Sequence, residues 1–295
     1  MIPLEPVAYA DGALALTGLL ARPQGAPRAA VAVFPTIFNT TPGVEAKARA
    51  LADAGYLAMV CDFYGRTPAD REDAFAMGQA LRREPAAFRQ RLRAGLTALR
   101  AHVEAMPMLA IGFCMGGGAV LELARDGADL RAVASFHGLL DTAAPADTPI
   151  ATRILVCHGD ADIYVPRSQV DGFWEEMDAV NARWHFHSYA GVDHGFTNPT
   201  MFDGTPNPAY DASADRQSWA AMHALFDEVL GYSPSPPTQC ALLWRRARCH
   251  ACWRMSGTAA TSHEAPRAGE RLRSRNPESS PPKRRGGRSF RHSGS

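Results

Sequence analysis

The sequence predicts an α/β fold with a mostly parallel central sheet and helices on both faces, and two patterns carry that prediction. Continuous apolar runs of buried-strand length recur, as at 29–34 and 57–61. Segments of helical periodicity alternate with them, the order expected of a sheet wound with helices on either side. The chain has 295 residues, 46% hydrophobic and 21% charged, enough for one large core or two small ones, which sets aside fibrous and wholly disordered classes.

Strand-like residues 7–10 and 13–20 flank Asp11 and Gly12, a two-residue hairpin signal because glycine supplies positive φ. After the strand at 29–34, Thr41 as N-cap, Pro42 at the first helical position and Glu45 in the first turn open a helix through Ala54. Strand 57–61 follows. Residues 69–104 are helical but interrupted near Pro85, which predicts two helices with arginines on their solvent face. A strand at 109–112, a helix at 116–125 and strands at 132–136 and 154–158 come next. Helix 167–180, an alternating strand at 184–189 and an amphipathic helix at 213–230 complete the body.

The formal net charge of +1 conceals a split: residues 231–295 hold thirteen Lys plus Arg against three acids, leaving eighteen against twenty-seven before them. That segment is rich in Pro, Ser, Arg and Gly, and after Met255 only Leu272 and Phe290 are large aliphatic or aromatic residues. So little apolar surface does not offset ordering entropy, so the chain divides into a folded domain at 1–230 and a basic, disordered tail at 231–295. Cys249 and Cys252 near His250 make a lone CxxC without a second ligand pair, which argues against zinc. Arginine-rich tails are often merely solvated, so nucleic-acid binding is not the favoured role. No basic leader and no apolar run of ~18 residues is present, so a cytoplasmic protein with no membrane partner is expected. The six cysteines lack the spacing of a disulfide framework and read as free thiols. Cys61 and Cys157 read as core fillers, and His137 and His158 as hydrogen-bonded strand ends.

The most informative segment runs from Leu109 to Gly118, a strand passing into a helix through Gly112, Cys114 and Gly116. Glycines two before and two after the central residue permit a turn in which larger neighbours would collide, while the central side chain is pushed out above the sheet. A helix N-terminus favours a thiolate and aims the Met115 N–H at a developing oxyanion. A packed, inert cysteine is the alternative for this motif taken alone. Two further segments weigh against it. His158-Gly-Asp-Ala-Asp-Ile-Tyr-Val-Pro166 places acids at the C-terminal edge of a strand, where α/β sheets bind ligands. Gly191-Val-Asp-His-Gly-Phe196 puts His194 after the next strand, and nucleophile, acid, histidine is the order of the α/β-hydrolases.

These segments resemble the dienelactone hydrolase family, as do the strand ending in Phe34-Pro-Thr-Ile-Phe38, the run Cys61-Asp-Phe-Tyr-Gly-Arg66 and the closing helix with Trp219 and Phe226. The likeness covers roughly residues 3–230 and implies an α/β-hydrolase fold. It implies Cys114 as nucleophile, His194 as base and Asp162, in register with Val165-Pro166, as orienting acid, with Asp160 as competitor. It also implies oxyanion donors at the Met115 and Ile37 backbone, and Arg66 as binder of a substrate carboxylate. Tyr64, Thr36, Phe38 and Asn198 are candidates for the pocket wall. Two departures stand out: Thr36 replaces a glutamate that holds the resting thiol, and Gly195 and Asn198 stand where a serine and second arginine are expected. The implied activity is hydrolysis of a lactone or carboxylic ester through an acyl-thioenzyme, with no metal or organic cofactor, in a monomer or small homo-oligomer. The rivals are a catalytically weak ligand-binding or thiol-redox module, and a partner or nucleic-acid binder acting through the tail.

Overall fold

The computed structural model describes residues 1–232; the calls on the tail and its CxxC lie outside them. The elements are β1 (Leu4–Asp11), β2 (Leu14–Ala21), β3 (Ala30–Phe34), α1 (Pro42–Asp53), β4 (Leu57–Val60), α2 (Arg71–Arg82), α3 (Pro85–Arg100), β5 (Met108–Phe113), α4 (Met115–Arg125), β6 (Ala132–Phe136), β7 (Arg153–Gly159), α5 (Arg167–Ala179), β8 (Arg183–Tyr189) and α6 (Ala212–Leu230). They form one eight-stranded sheet in the order β1-β2-β4-β3-β5-β6-β7-β8. Pairings from β4 through β8 are parallel, and β1–β2 and β2–β4 are antiparallel.

Strand alternation distributes the core. Ala30, Ala32 and Phe34 face a cluster closed by Phe88 and Leu92 of α3, Val120 of α4 and Phe173 of α5. Val31 and Val33 face the opposite cluster, closed by Val44 and Leu51 of α1 and Phe226 of α6. The central strands are therefore apolar on both faces, which is why they read as continuous runs rather than alternating ones. At 18 residues or more, no helix among the described residues is apolar enough to cross a membrane.

Local signals held where short-range chemistry decides them. Thr41 accepts from the Val44 N–H at 3.4 Å and Pro42 opens α1. Pro85 opens α3, since its missing N–H is one of the unpaired donors of a helix start. The hairpin shifts by one residue: Asp11 pairs with Leu14, so the loop is Gly12-Ala13. Gly12 has φ +58° and Ala13 is not among the positive-φ residues, so a turn needing two left-handed positions is replaced by one needing only the first.

The chain reverses its winding at β3, with β4 on one side and β5 on the other. A crevice opens at such a point beyond the carboxyl ends of the strands. Phe34 ends β3 before the segment 35–39, and Phe113 ends β5 before Cys114. The bend at Cys114 is closed by backbone contact: a Cβ on Gly112 would lie 1.8 Å from Gly116 O, and one on Gly116 would lie 2.1 Å from Phe34 O. Neither neighbour is a side chain able to swing away. Gly116→Ala is expected to destabilise the fold by ~3 kcal/mol or more, read as a fall in the thermal midpoint, whereas Gly172→Ala, which meets nothing within 4 Å, serves as the neutral control. A wild-type midpoint in Gly116→Ala contradicts this account.

Candidate functional site

Cys114 occupies the N-cap position of α4 with φ 55° and ψ −117°, a conformation that costs a non-glycine residue about 1–3 kcal/mol. Its N–H is shared between Phe136 O and His137 Nδ1, both at 3.1 Å, which pins the bend to the end of β6. The thiol is half-buried, and the Met115 and Ile37 N–H groups both donate toward it.

The Ile37 donor is held by a device with no obvious sequence signature. Asn39 is left-handed at φ 61° and donates to Asp62 Oδ1 at 2.7 Å, while Phe63 N–H donates to Asn39 Oδ1 at 3.2 Å. The same Asp62 oxygen accepts from the Tyr64 and Gly65 N–H groups at 2.9 Å, and the other accepts from Thr17 N–H at 3.0 Å. A buried carboxylate thus braces the turn at 36–39 against the loop after β4. Thr36 Oγ1 accepts the Phe38 N–H at 3.2 Å, so its hydroxyl is engaged in the turn.

The acid and the histidine meet beyond β7 and β8. Asp162 is buried and its Oδ2 lies 2.7 Å from His194 Nδ1; its Oδ1 accepts from Tyr164 N–H at 2.9 Å. Asp160 instead binds exposed Arg167 at 2.8 Å, away from His194. With Nδ1 turned to Asp162, Nε2 is the nitrogen left for Cys114. Burial alone pushes the Cys114 thiol up, but the His194 charge and hydrogen bond and the two backbone N–H groups bring it below its ordinary value. Burial likewise acts to lower His194, and the Cys114 thiolate and Asp162 more than reverse it, so the imidazole is raised. The two shifts oppose each other in direction and each has the other group among its causes, so the two groups titrate as one couple.

A cavity of about 480 Å³ opens over Cys114. Thr36, Ile37, Phe38, Met115, His194 and Asn198 line it, so the structure brings these candidates together. Two candidates stand elsewhere. Both terminal guanidinium nitrogens of exposed Arg66 donate to Asp73, at 2.6 and 2.7 Å, and Arg66 is not on the wall. Tyr64 is buried behind the wall, its hydroxyl 3.4 Å from Met115 Sδ. The loop after β4 braces the turn at 36–39 through Asp62, and none of its residues 61–67 lines the cavity.

Cationic wall residues come instead from α2. Arg71 and Arg82 line the cavity; Arg71 is exposed, as expected of the solvent face, and Arg82 is half-buried. Arg82 is paired with Asp141 at 2.8 Å. Arg71 lies 5.5 Å from the Phe75 ring centre and donates to Tyr164 Oη at 3.4 Å, and no carboxylate among the described residues pairs with it. Its signal in the sequence was a spacing of four from Phe75, readable only once the direction of α2 is known. His137 was also missed as a wall residue. Cys61 and Cys157 are buried free thiols, and burial pushes Cys157 up to about 12. His158 departs from expectation, since its Nδ1 has no hydrogen-bond partner among the described residues.

Comparison with known proteins places the fold and site in context. The model of the dienelactone hydrolase family matches residues 16–230. An uncharacterized protein of Caenorhabditis elegans is 40% identical over 148 residues, 48% of this chain and 94% of its own length. Among solved structures, a dienelactone hydrolase-like promiscuous phosphotriesterase from metagenomic libraries is 33% identical, with TM-score 0.71, covering 77% of this chain and 98% of that one. A protein designated m3DLH is 36% identical with TM-score 0.72 over the same shares.

The couple has a measurable consequence. A depressed thiol is ionised over a pH interval in which a free one is protonated, so iodoacetamide labelling of Cys114, followed by peptide mass spectrometry, is expected to show its pH midpoint below that of an ordinary cysteine. His194→Ala removes the main stabiliser of the thiolate and should move the labelling midpoint upward. An unchanged midpoint in that variant rules out the couple.

Proposed function

The chain is a member of the dienelactone hydrolase family, and on that footing we propose that it hydrolyses a lactone or carboxylic ester through Cys114, His194 and Asp162. The observation that carries this reading is the convergence of an imidazole and two backbone N–H groups on one sulfur at the floor of a cavity. The Cys114 thiolate attacks the carbonyl carbon, and the Met115 and Ile37 N–H groups receive the oxyanion. Collapse expels the alkoxide, which takes a proton from the His194 imidazolium, and leaves an acyl-thioenzyme. Neutral His194, held in its tautomer by Asp162, then takes a proton from water as that water attacks the thioester. The second collapse releases the acid and restores the thiolate. Thr36 offers no base, so ionisation of the thiol rests on His194 and the backbone donors.

Substrate selection in this reading falls to Arg71 rather than Arg66. An arginine on the cavity wall without a carboxylate partner among the described residues is suited to a substrate anion, whereas Arg66 is already satisfied by Asp73. The same sulfur and donors suit a phosphoryl group, and the metagenomic phosphotriesterase at 33% identity favours that as a second activity.

Cys114→Ala is expected to abolish turnover of p-nitrophenyl acetate while the circular dichroism spectrum and thermal midpoint persist; unchanged turnover would falsify the nucleophile assignment. For an ester bearing a free carboxylate, Arg71→Ala should raise KM roughly 10- to 100-fold, the worth of a charged hydrogen bond, with a neutral ester little affected. Arg66→Ala should leave both within about twofold, since exposed ion pairs contribute little. The reverse ranking of the two arginines contradicts this choice of anchor.

A further inference from the structure

His137 follows β6 in a left-handed conformation, φ 40°, one of four non-glycine residues with positive φ among those described. It is fully buried yet on the cavity wall, with its ring centre 5.2 Å from that of His194 in an edge-to-face arrangement. Burial and the nearby His194 and Lys47 charges hold it well below the ordinary imidazole range, so it is neutral. A neutral imidazole has one N–H. Because Nδ1 accepts from the Cys114 N–H at 3.1 Å, the proton belongs on Nε2, which faces Thr197 Oγ1 at 3.0 Å. Thr197 is fully buried and stands three residues after His194 on the same loop. Its carbonyl accepts from Lys47 Nζ at 2.8 Å, and this buried ammonium of α1 sits 4.6 Å from the Phe113 ring centre. The chain Lys47, Thr197, His137, Cys114 thus joins α1, the His194 loop, the end of β6 and the bend before α4 without a water or an exposed group.

We propose that His137 is a positioning residue that ties the Cys114 bend to the loop carrying His194 through Thr197, with Lys47 as the fixed end of the tie. The proposal rests on the reading of Cys114 as nucleophile and His194 as base. Two groups on different loops stay within reach of each other only if those loops are fixed relative to each other. The tie constrains them through residues other than Asp162. A histidine that merely fills the core predicts loss of stability alone; a positioning histidine predicts loss of turnover and of thiolate character together.

The test uses full-length His137→Leu, His137→Asn and Thr197→Val, with Cys114→Ala as reference, reading kcat and KM for p-nitrophenyl acetate and the pH midpoint of Cys114 labelling. His137→Leu and Thr197→Val are expected to lower kcat about 10- to 100-fold with KM within about twofold, the scale of a small misplacement of reacting groups. Both should shift the labelling midpoint to higher pH, because His194 stabilises the thiolate less when its loop is loose. His137→Asn places an amide oxygen where Nδ1 stands and tolerates positive φ, so it should recover part of the lost kcat. Wild-type kcat and midpoint in Thr197→Val and in any folded His137 variant overturn the proposal; if His137→Leu fails to fold, Thr197→Val decides. Failure of the tie leaves Cys114→Ala inactive, whereas failure of the parent reading shows as turnover surviving in Cys114→Ala.

Discussion

The close approach of backbone to backbone at the end of β5 is the constraint on which the rest of the site depends. Gly112 lies against Gly116, and Gly116 against the carbonyl of Phe34, so the chain turns with no side chain inside the bend. The residue at the apex is then forced to positive φ and its side chain is lifted over the sheet edge. Strain at Cys114 is offset by the packing of β5 and α4 around it: both are buried along their full length. The same turn presents the Met115 N–H, so placement of the sulfur and of one donor is a single geometric event.

Electrostatics follows from that placement. Burial disfavours the charged form of a thiol, as Cys157 illustrates. Cys114 differs through what surrounds it: an imidazole that a buried carboxylate orients and two backbone N–H groups held by separate loops. Each partner comes from a different crossover of the sheet, and each loop carries its own brace. Asp62 and Asn39 hold the turn that offers Ile37, Asp162 holds Tyr164 and His194, and His137 joins the bend to Thr197. Low dielectric strengthens such a set of bonds and also makes an unpaired member costly.

The cavity wall combines two chemistries. Phe38 and Phe202 stack at 4.2 Å across the mouth, and Phe75 and Tyr164 add aromatic surface, so most of the lining is apolar. Arg71 supplies charge at the rim, and its contact with Tyr164 connects it to the residue packed edge-on against His194. Arg66 has no such position, because its loop is committed to bracing the turn at 36–39 through Asp62.

The sequence by itself determined what depends on neighbours along the chain: strand and helix order, the cap at Thr41, the helix start at Pro85 and the glycine-flanked bend at Cys114. Composition and spacing carry these because the physics acts over a few residues. The choice of Asp162 over Asp160 was legible only through a resemblance; what separates the two in space is that Asp160 turns outward to Arg167. Tertiary structure alone decided which arginine reaches the cavity, that Asp62 and Asn39 brace a loop more than twenty residues away, and that Lys47, Thr197 and His137 meet beside the sulfur. Those contacts join residues up to 150 positions apart, and no local pattern encodes them, because they exist only when the sheet order brings separate strand ends to one edge.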